Sequence, residues 1–289
     1  MKELTQNELK LLQNLPLHIK ILKSKQRIRE YITFCDKKAY ISFSGGIDSL
    51  VLLDLVREDY PDTAAVYIDT GLEYPENREF VKTIDNVIVI RPSMTFTEVI
   101  KKYGYPVISK EIALTIEYAR KGSQWAIDRL NGLHKWGNHK KYKFLLYSDF
   151  KISPKCCDIT KKNPVKIFEK DTRLFPIVGT MAAEGGQRLS AYLKNGCNSF
   201  ESKRVMSTPI GFWTKTDIWE YIKEKQMLYS SVYDKGYNRT GCMFCMFGIN
   251  QEKTPNRFQL MKETHPKQYK YCINKLGCGK VLDFLNIPY

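Results

Sequence analysis

Ser44-Gly45-Gly46-Ile47-Asp48-Ser49 lies between an apolar run, Ala39-Tyr40-Ile41-Ser42-Phe43, and a second one, Leu50-Val51-Leu52-Leu53-Asp54-Leu55. The first run has the character of a buried strand and the second that of a buried helix, so the six residues form a strand-to-helix turn. Paired glycines permit a tight bend and close backbone approach, and the serines add hydroxyl donors. The start of the following helix offers unpaired N–H groups to an anion. The turn is therefore a candidate phosphate cradle. It is not a Walker loop, because no Lys-Ser/Thr pair follows at the required spacing, and it lacks the third glycine of a dinucleotide fingerprint.

Working outward, further strand-like segments run over Thr63 to Ile68, Asn86 to Ile90 and Phe175 to Val178, alternating with helix-like ones. That alternation predicts an α/β fold, a doubly wound and mostly parallel sheet. Ligands in such sheets bind beyond the carboxyl ends of strands. Asp69-Thr70-Gly71 after the second strand is thus expected beside the Ser44 loop, and Glu184-Gly185-Gly186-Gln187-Arg188 after the later strand is a ligand-facing loop. The reading divides the chain into an N-terminal helical segment, 1–37, a nucleotide-binding α/β domain, 38–208, and a small C-terminal subdomain, 209–289. A polar stretch from Lys121 to Lys143, with Trp125, His134, Trp136, His139 and Tyr142, reads as a helical insertion. Its basic and aromatic residues suit either nucleic-acid contact or the cover of a helical surface.

The chain has 289 residues, 43% of them hydrophobic, and a formal net charge of +15 from 46 Lys+Arg against 31 Asp+Glu. Such a length can bury a substantial core. No apolar run approaches the length of a membrane span and no secretory signal is visible, so the expected location is cytoplasmic, without membrane. The charge exceeds what one nucleotide needs and favours an anionic partner, nucleic acid among the candidates.

Eight cysteines without a secretory signal point to metal or thiol chemistry instead of a disulfide scaffold. Cys156-Cys157 and Cys242-Met243-Phe244-Cys245 supply four thiolates in two close pairs. A CxxC pair suits zinc, a redox disulfide or half of a cluster, whereas adjacent cysteines are awkward for compact tetrahedral zinc. The combination favours [4Fe–4S], with Zn²⁺ as the alternative. Cys35, Cys197 and Cys272 have no evident partner in the sequence and read as structural.

The glycine-serine loop resembles the pyrophosphate loop of the ATP pyrophosphatases. With Lys155-Cys156-Cys157, Asn163-Pro164, Asp69-Thr70-Gly71 and Pro75-Glu76, Trp213-Thr214 with Asp217-Ile218-Trp219, and Gly236-Tyr237 before Gly241-Cys242, it resembles the phosphoadenosine-phosphosulfate reductase family from about Lys38 to Phe247. Its iron–sulfur members include adenylyl-sulfate reductases and DNA-phosphorothioation ATP pyrophosphatases. The resemblance implies an adenine nucleotide alpha hydrolase-like, Rossmann-like fold. It implies ATP with Mg²⁺ held by Ser44, Gly45, Gly46, Asp48, Ser49, Asp69, Thr70 and Gly71, and a cluster on Cys156, Cys157, Cys242 and Cys245. Asp48, Lys155 and Arg188 are the candidate catalytic residues, the cations absorbing charge developed at the α-phosphate.

Two departures separate the branches. The reductases carry a degenerate loop, whereas the full Ser-Gly-Gly-x-Asp-Ser form here suits intact ATP. They also use a cysteine in a Glu-Cys-Gly-His-like tail, to which Leu276-Gly277-Cys278-Gly279-Lys280 is only partly similar. The leading expectation is an AMP- and pyrophosphate-forming sulfur-transfer enzyme acting on a nucleic-acid (tRNA or DNA) or nucleotide acceptor, with a sulfur donor such as a cysteine desulfurase. The alternatives are a thiol-dependent reductase releasing sulfite from adenylyl sulfate or phosphoadenylyl sulfate, and a nucleotide-sensing module without turnover.

Overall fold

The computed structural model describes residues 3–135 and 137–289. Trp136 of the polar stretch, and the first two residues of the N-terminal segment, lie outside them. Eight strands are present among the described residues: β1 (Ala39–Phe43), β2 (Ala65–Ile68), β3 (Val87–Ile90), β4 (Val107–Ile108), β5 (Phe175–Val178), β6 (Asn198–Ser199), β7 (Met206–Ser207) and β8 (Met246–Phe247). The chain divides into two compact units that interleave in sequence. The first comprises residues 1–68, 75–90 and 165–233, and the second residues 69–74, 91–164 and 234–289. These limits do not follow the linear division at 37/38 and 208/209. The N-terminal helices and the helix Lys215–Glu224 both belong to the first unit because they share its core.

That unit is built on a six-stranded sheet in the order β3-β2-β1-β5-β7-β6. Every pairing is parallel except β6 with β7. The expected α/β class and mostly parallel sheet are therefore observed. In β1, Ala39, Tyr40, Ile41 and Phe43 are all buried, without the alternation of a half-exposed strand, as a parallel strand covered on both faces requires. The chain leaves β1 with β2 on one side and β5 on the other, the switch point at which open α/β sheets bind ligands.

Helix Leu17–Phe34 packs Ile28, Tyr31 and Ile32 into the same core. Its Ser24 hydroxyl donates to the Pro209 carbonyl at 2.9 Å and accepts from the indole N–H of fully buried Trp213 at 2.9 Å. One turn earlier, the buried Lys20 ammonium lies 2.7 Å from both oxygens of Asp217 and 2.6 Å from the Gln13 carbonyl. Asp217 also completes the capping box that starts helix Lys215–Glu224.

The second unit gathers around helix Lys110–Arg120, whose Ile112, Ala113, Ile116 and Ala119 are buried, and around a parallel pair, β4 with β8. The expected insertion forms helix Gln124–Asn131 and a following 3₁₀ segment, Lys140–Tyr147. His139 is buried there, 3.0 Å from the Thr115 hydroxyl and 3.1 Å from the Arg129 guanidinium, which makes it a packing residue. No described helix is long and apolar enough to cross a membrane.

Candidate functional site

In the first unit, β1 runs into the Ser44 turn and helix Ile47–Arg57 follows, with Gly46 as its N-cap. Gly45 has φ +74°, and a Cβ there would sit 2.6 Å from Asn77 Oδ1, 2.8 Å from Asn77 Nδ2 and 2.8 Å from Val81 Cγ2. Only glycine fits on both counts. Asn77, fully buried, donates its amide to the Ser44 carbonyl at 3.0 Å, while its Oδ1 has no hydrogen-bond partner. Ser49 Oγ donates to the Gly46 carbonyl at 2.8 Å and accepts from the Ser44 N–H at 3.1 Å. Ser44 Oγ lies 3.1 Å from Ser49 Oγ and accepts from the Gly46 N–H at 3.3 Å. The loop is thus preformed by its own serines. Gly179, just past β5, backs the helix start closely: a Cβ at that position would stand 3.0 Å from the Asp48 carbonyl oxygen.

Two more groups face this turn. Tyr233, wedged edge-on against Trp219, accepts the Ile47 N–H on its phenol oxygen at 3.1 Å. Asp48 is half-buried, and this burial raises its carboxyl above the ordinary aspartate value, with Lys215 and Arg188 opposing the rise. Arg188 is itself paired with Glu184. Of the residues singled out in the sequence, the loop, Asp48 and Arg188 come together here; Asn77, Lys215 and Tyr233, whose signals lie outside the motif, were not singled out, and only the capping box beginning at Thr214 hints that Lys215 opens a helix.

Asp69, Thr70 and Gly71 belong to the second unit. Their turn is closed by Glu73, which accepts from the Thr70 N–H at 3.1 Å and its hydroxyl at 2.7 Å, and by Asp69, which accepts from the Gly71 N–H at 3.2 Å. Lys155 is also in this unit, its ammonium 4.7 Å from the Tyr103 ring centroid.

The cysteine pairs are both in the second unit. Cys156 and Cys157 open a helical stretch that passes through a π-helical turn, Asp158–Lys162, and Thr160 Oγ1 donates to the Cys156 carbonyl at 2.8 Å. Such turns recur at functional sites. The Cys242 to Cys245 loop is held from both sides: Met243 N–H donates to the Leu72 carbonyl at 2.8 Å, and Arg257 donates to the Cys245 carbonyl at 2.9 Å. Glu252 in turn accepts from the Arg257 Nε at 2.8 Å. Burial lifts the Cys156 thiol well above the ordinary range, and Cys157, Cys242 and Cys245 each add to the rise. Cys242 is pushed up to about 11 by burial, against the pull of Lys161. The Lys161 ammonium hydrogen-bonds Cys242, whose charge, together with that of Glu73, raises the lysine above its ordinary value. Lys161 was missed in the sequence, although a position four after Cys157 puts it on the same helical face.

The four sulfurs therefore sense one another. Among the described residues, however, no three His, Cys, Asp or Glu side chains are grouped closely enough to hold a single metal ion. An all-thiol set beside the Lys161 ammonium has the donor chemistry of an iron–sulfur cluster, which spreads its thiolates wider than one zinc ion does. Cys278 and Cys272, in the same unit, are fully buried and hydrogen-bonded to each other, a partnership the sequence reading did not foresee.

Among curated proteins, the match to an uncharacterized protein of Methanocaldococcus jannaschii has 27% identity and covers 88% of this chain but 52% of that protein. For a second uncharacterized protein of the same organism the figures are 28%, 72% and 36%, so the chain spans about half the length, or less, of these relatives. The adenosine 5'-phosphosulfate reductase of Geobacillus sp. (strain WCH70) is 27% identical over 203 residues, covering 70% of each chain. A crystal structure of phosphoadenylyl-sulfate reductase from Candida auris, in a phosphate complex, superposes with a TM-score of 0.46 at 17% identity, over 83% of this chain and 96% of that one. The phosphoadenosine phosphosulfate reductase domain matches residues 38–247, and the chain belongs to that family.

Proposed function

We propose that the chain is a thiol-dependent sulfonucleotide reductase, releasing sulfite and AMP from adenylyl sulfate. The observation that carries this reading is the match across 70% of both chains to a protein named adenosine 5'-phosphosulfate reductase. In this reading the nucleotide phosphate lies on Ser44, Gly45, Gly46 and Ser49, whose turn is preformed and needs little reordering. Arg188 and Lys215 offset negative charge at Asp48, Lys155 is a further cation for the sulfonate, and Asp69, Thr70 and Gly71 serve the nucleotide from the second strand's end. Cys156, Cys157, Cys242 and Cys245 would hold a [4Fe–4S] cluster, which when bound supplies a redox-capable centre whose charge acts on nearby groups.

One observation favours a second reading. The full Ser-Gly-Gly-x-Asp-Ser loop, with its partly buried Asp48, suits the longer phosphate chain of ATP and Mg²⁺. The chain would then transfer sulfur to a nucleic-acid or nucleotide acceptor, forming AMP and pyrophosphate.

The test is anaerobic purification followed by two assays: sulfite from adenylyl sulfate with dithiothreitol, and pyrophosphate from ATP with tRNA, DNA and a persulfide donor. Sulfite release supports the reductase. Pyrophosphate release without sulfite replaces it with the sulfur-transfer reading, and neither product under any condition leaves a nucleotide-sensing module.

A further inference from the structure

The polar insertion of the second unit has no part in either reaction considered above. From Arg120 to Lys143 it carries seven Lys and Arg against one acid, Asp128, whose carboxylate accepts from the Gln124 amide at 2.7 Å. Three of those cations hold the fold. Arg120 donates to the Leu145, Ser148 and Phe150 carbonyls, Lys121 pairs with Glu117, and Arg129 pairs with Glu111 and donates to the Gly137 carbonyl at 2.7 Å. Lys135, Lys140, Lys141 and Lys143 are exposed, and none of them pairs with a carboxylate among the described residues. The 3₁₀ segment Lys140–Tyr147 sets three of these in order. With three residues per turn, side chains at i and i+3 eclipse, about 6 Å apart along the axis, and runs of eight are uncommon. Leu145 is fully buried and Tyr142, on the same row, is half-buried, its phenol accepting from Asn250 at 3.4 Å, so that row faces the protein. The next row, Lys141, Phe144 and Tyr147, is exposed throughout, Phe144 at 40% and Tyr147 at 76%. Lys140 and Lys143 share the third row, Lys143 steadied by a 2.8 Å bond to Asn131 Oδ1. Phe144 leans on Phe284 with ring centroids 5.8 Å apart, which orients its ring and leaves it accessible.

We propose that this 3₁₀ face binds single-stranded nucleic acid, with the lysines neutralising phosphates and the Phe144 and Tyr147 rings stacking bases. The surface goes beyond the reaction at the Ser44 loop and is compatible with either reading of it. Unpaired bases expose flat faces, and two rings one 3₁₀ turn apart can each take one while the lysines beside them follow the backbone. A duplex hides those faces and would leave the rings unused. An anionic lipid surface calls for an unbroken apolar stripe, whereas here lysines stand on both exposed rows. Asp149, just past the segment, is paired with Lys280 and so offers little repulsion to a phosphate. The formal charge of +15 adds long-range attraction. Stacking without base-edge hydrogen bonds gives weak sequence preference.

The test follows the anisotropy of fluorescein-labelled oligothymidylate and oligouridylate, each about 15 nucleotides long, as the full chain is added at several salt concentrations. No turnover is involved, so failure here leaves the reaction at the Ser44 loop untouched. Binding is expected to weaken with salt, log K falling against log salt with a slope of about −0.7 for each phosphate contacted. The double variant Lys140→Gln, Lys143→Gln is expected to flatten that slope by about 1.4, the share of two phosphates. Tyr147→Ala is expected to weaken binding by roughly fivefold or more at an unchanged slope, because stacking releases no counterions. All three positions are exposed, and an unchanged urea midpoint checks that each variant folds. No binding at low salt overturns the proposal. Binding that every variant retains at wild-type strength and slope places the nucleic acid elsewhere and overturns it too. A duplex of equal length bound as tightly as the single strands reveals an electrostatic surface only and removes the stacking role. Capture on phosphatidylserine vesicles without oligonucleotide binding replaces the nucleic acid with a membrane surface.

Discussion

Replacing Gly45 by alanine probes the loop at its most crowded point. A left-handed φ of +74° costs an L-residue about 1–2 kcal/mol. The added methyl would also meet Asn77 Oδ1 at 2.6 Å and Val81 Cγ2 at 2.8 Å, and overpacking of this kind costs about 1–3 kcal/mol. Together about 2–5 kcal/mol is expected, or roughly thirtyfold to several-thousandfold in an equilibrium constant. If the alanine stays in place, the loss appears as a lower urea midpoint; if the turn swings away, it appears as weaker binding of adenylyl sulfate or ATP by calorimetry. The sum of the two is the quantity to compare. Asn77→Ala on its own removes the 3.0 Å bond to the Ser44 carbonyl, for about 1 kcal/mol. In the double variant the amide clash disappears, so the two losses should be clearly less than additive, the Val81 contact keeping the recovery incomplete. Strict additivity, or a Gly45→Ala chain with unchanged midpoint and affinity, would refute the steric argument.

Lys20→Met leaves the buried Asp217 carboxylate without its cation and is expected to cost about 3–5 kcal/mol in urea unfolding; a loss below about 1 kcal/mol would show the pair to be dispensable. For Asp48 the raised folded-state value means that the unfolded chain ionises first, so its contribution to stability is full below the ordinary aspartate value and is lost as pH rises through the folded value. Asp48→Asn should therefore gain stability over the wild type at neutral pH, with the gain vanishing in acid, while nucleotide affinity in Mg²⁺ falls; a difference independent of pH contradicts the burial argument. Cys156→Ser and Cys242→Ser should each lose most of the iron found in anaerobically purified wild-type protein. Full iron in both would remove these sulfurs from the metal centre.

What could be read from the chain divides along a physical line. Gly45, Ser49 and the strand and helix around them are consecutive in sequence, and their requirements are local: a positive φ, a hydroxyl within reach of its own turn, an apolar run on each side. Asn77, Lys215 and Tyr233 reach the same loop from three other segments, and nothing in their immediate neighbours records the destination. Lys161 is an intermediate case, because helical spacing from Cys157 gives its face but not its hydrogen bond to Cys242. Cys272 looked solitary since no pattern joins it to Cys278; only the turn of the chain at Leu276 brings the sulfurs together. The interleaving of the two units is similarly illegible, because the chain changes unit at residues 68/69, 74/75, 90/91, 164/165 and 233/234 without runs of glycine to mark the passages.

Local conflicts in a folded chain are informative when they collect in one place. Around the Ser44 turn, Gly45 adopts a backbone that a side chain would strain, Asn77 buries an amide oxygen with no partner, and Asp48 carries a carboxylate that burial disfavours. The last two lower stability, and a strand-to-helix turn in a parallel sheet needs neither. A plain connection would close with ordinary residues and a satisfied amide. Their concentration at the carboxyl end of β1, where the sheet order reverses, is what a loop retained for a ligand displays, since strain held by the surrounding core is kept only where something other than stability maintains it.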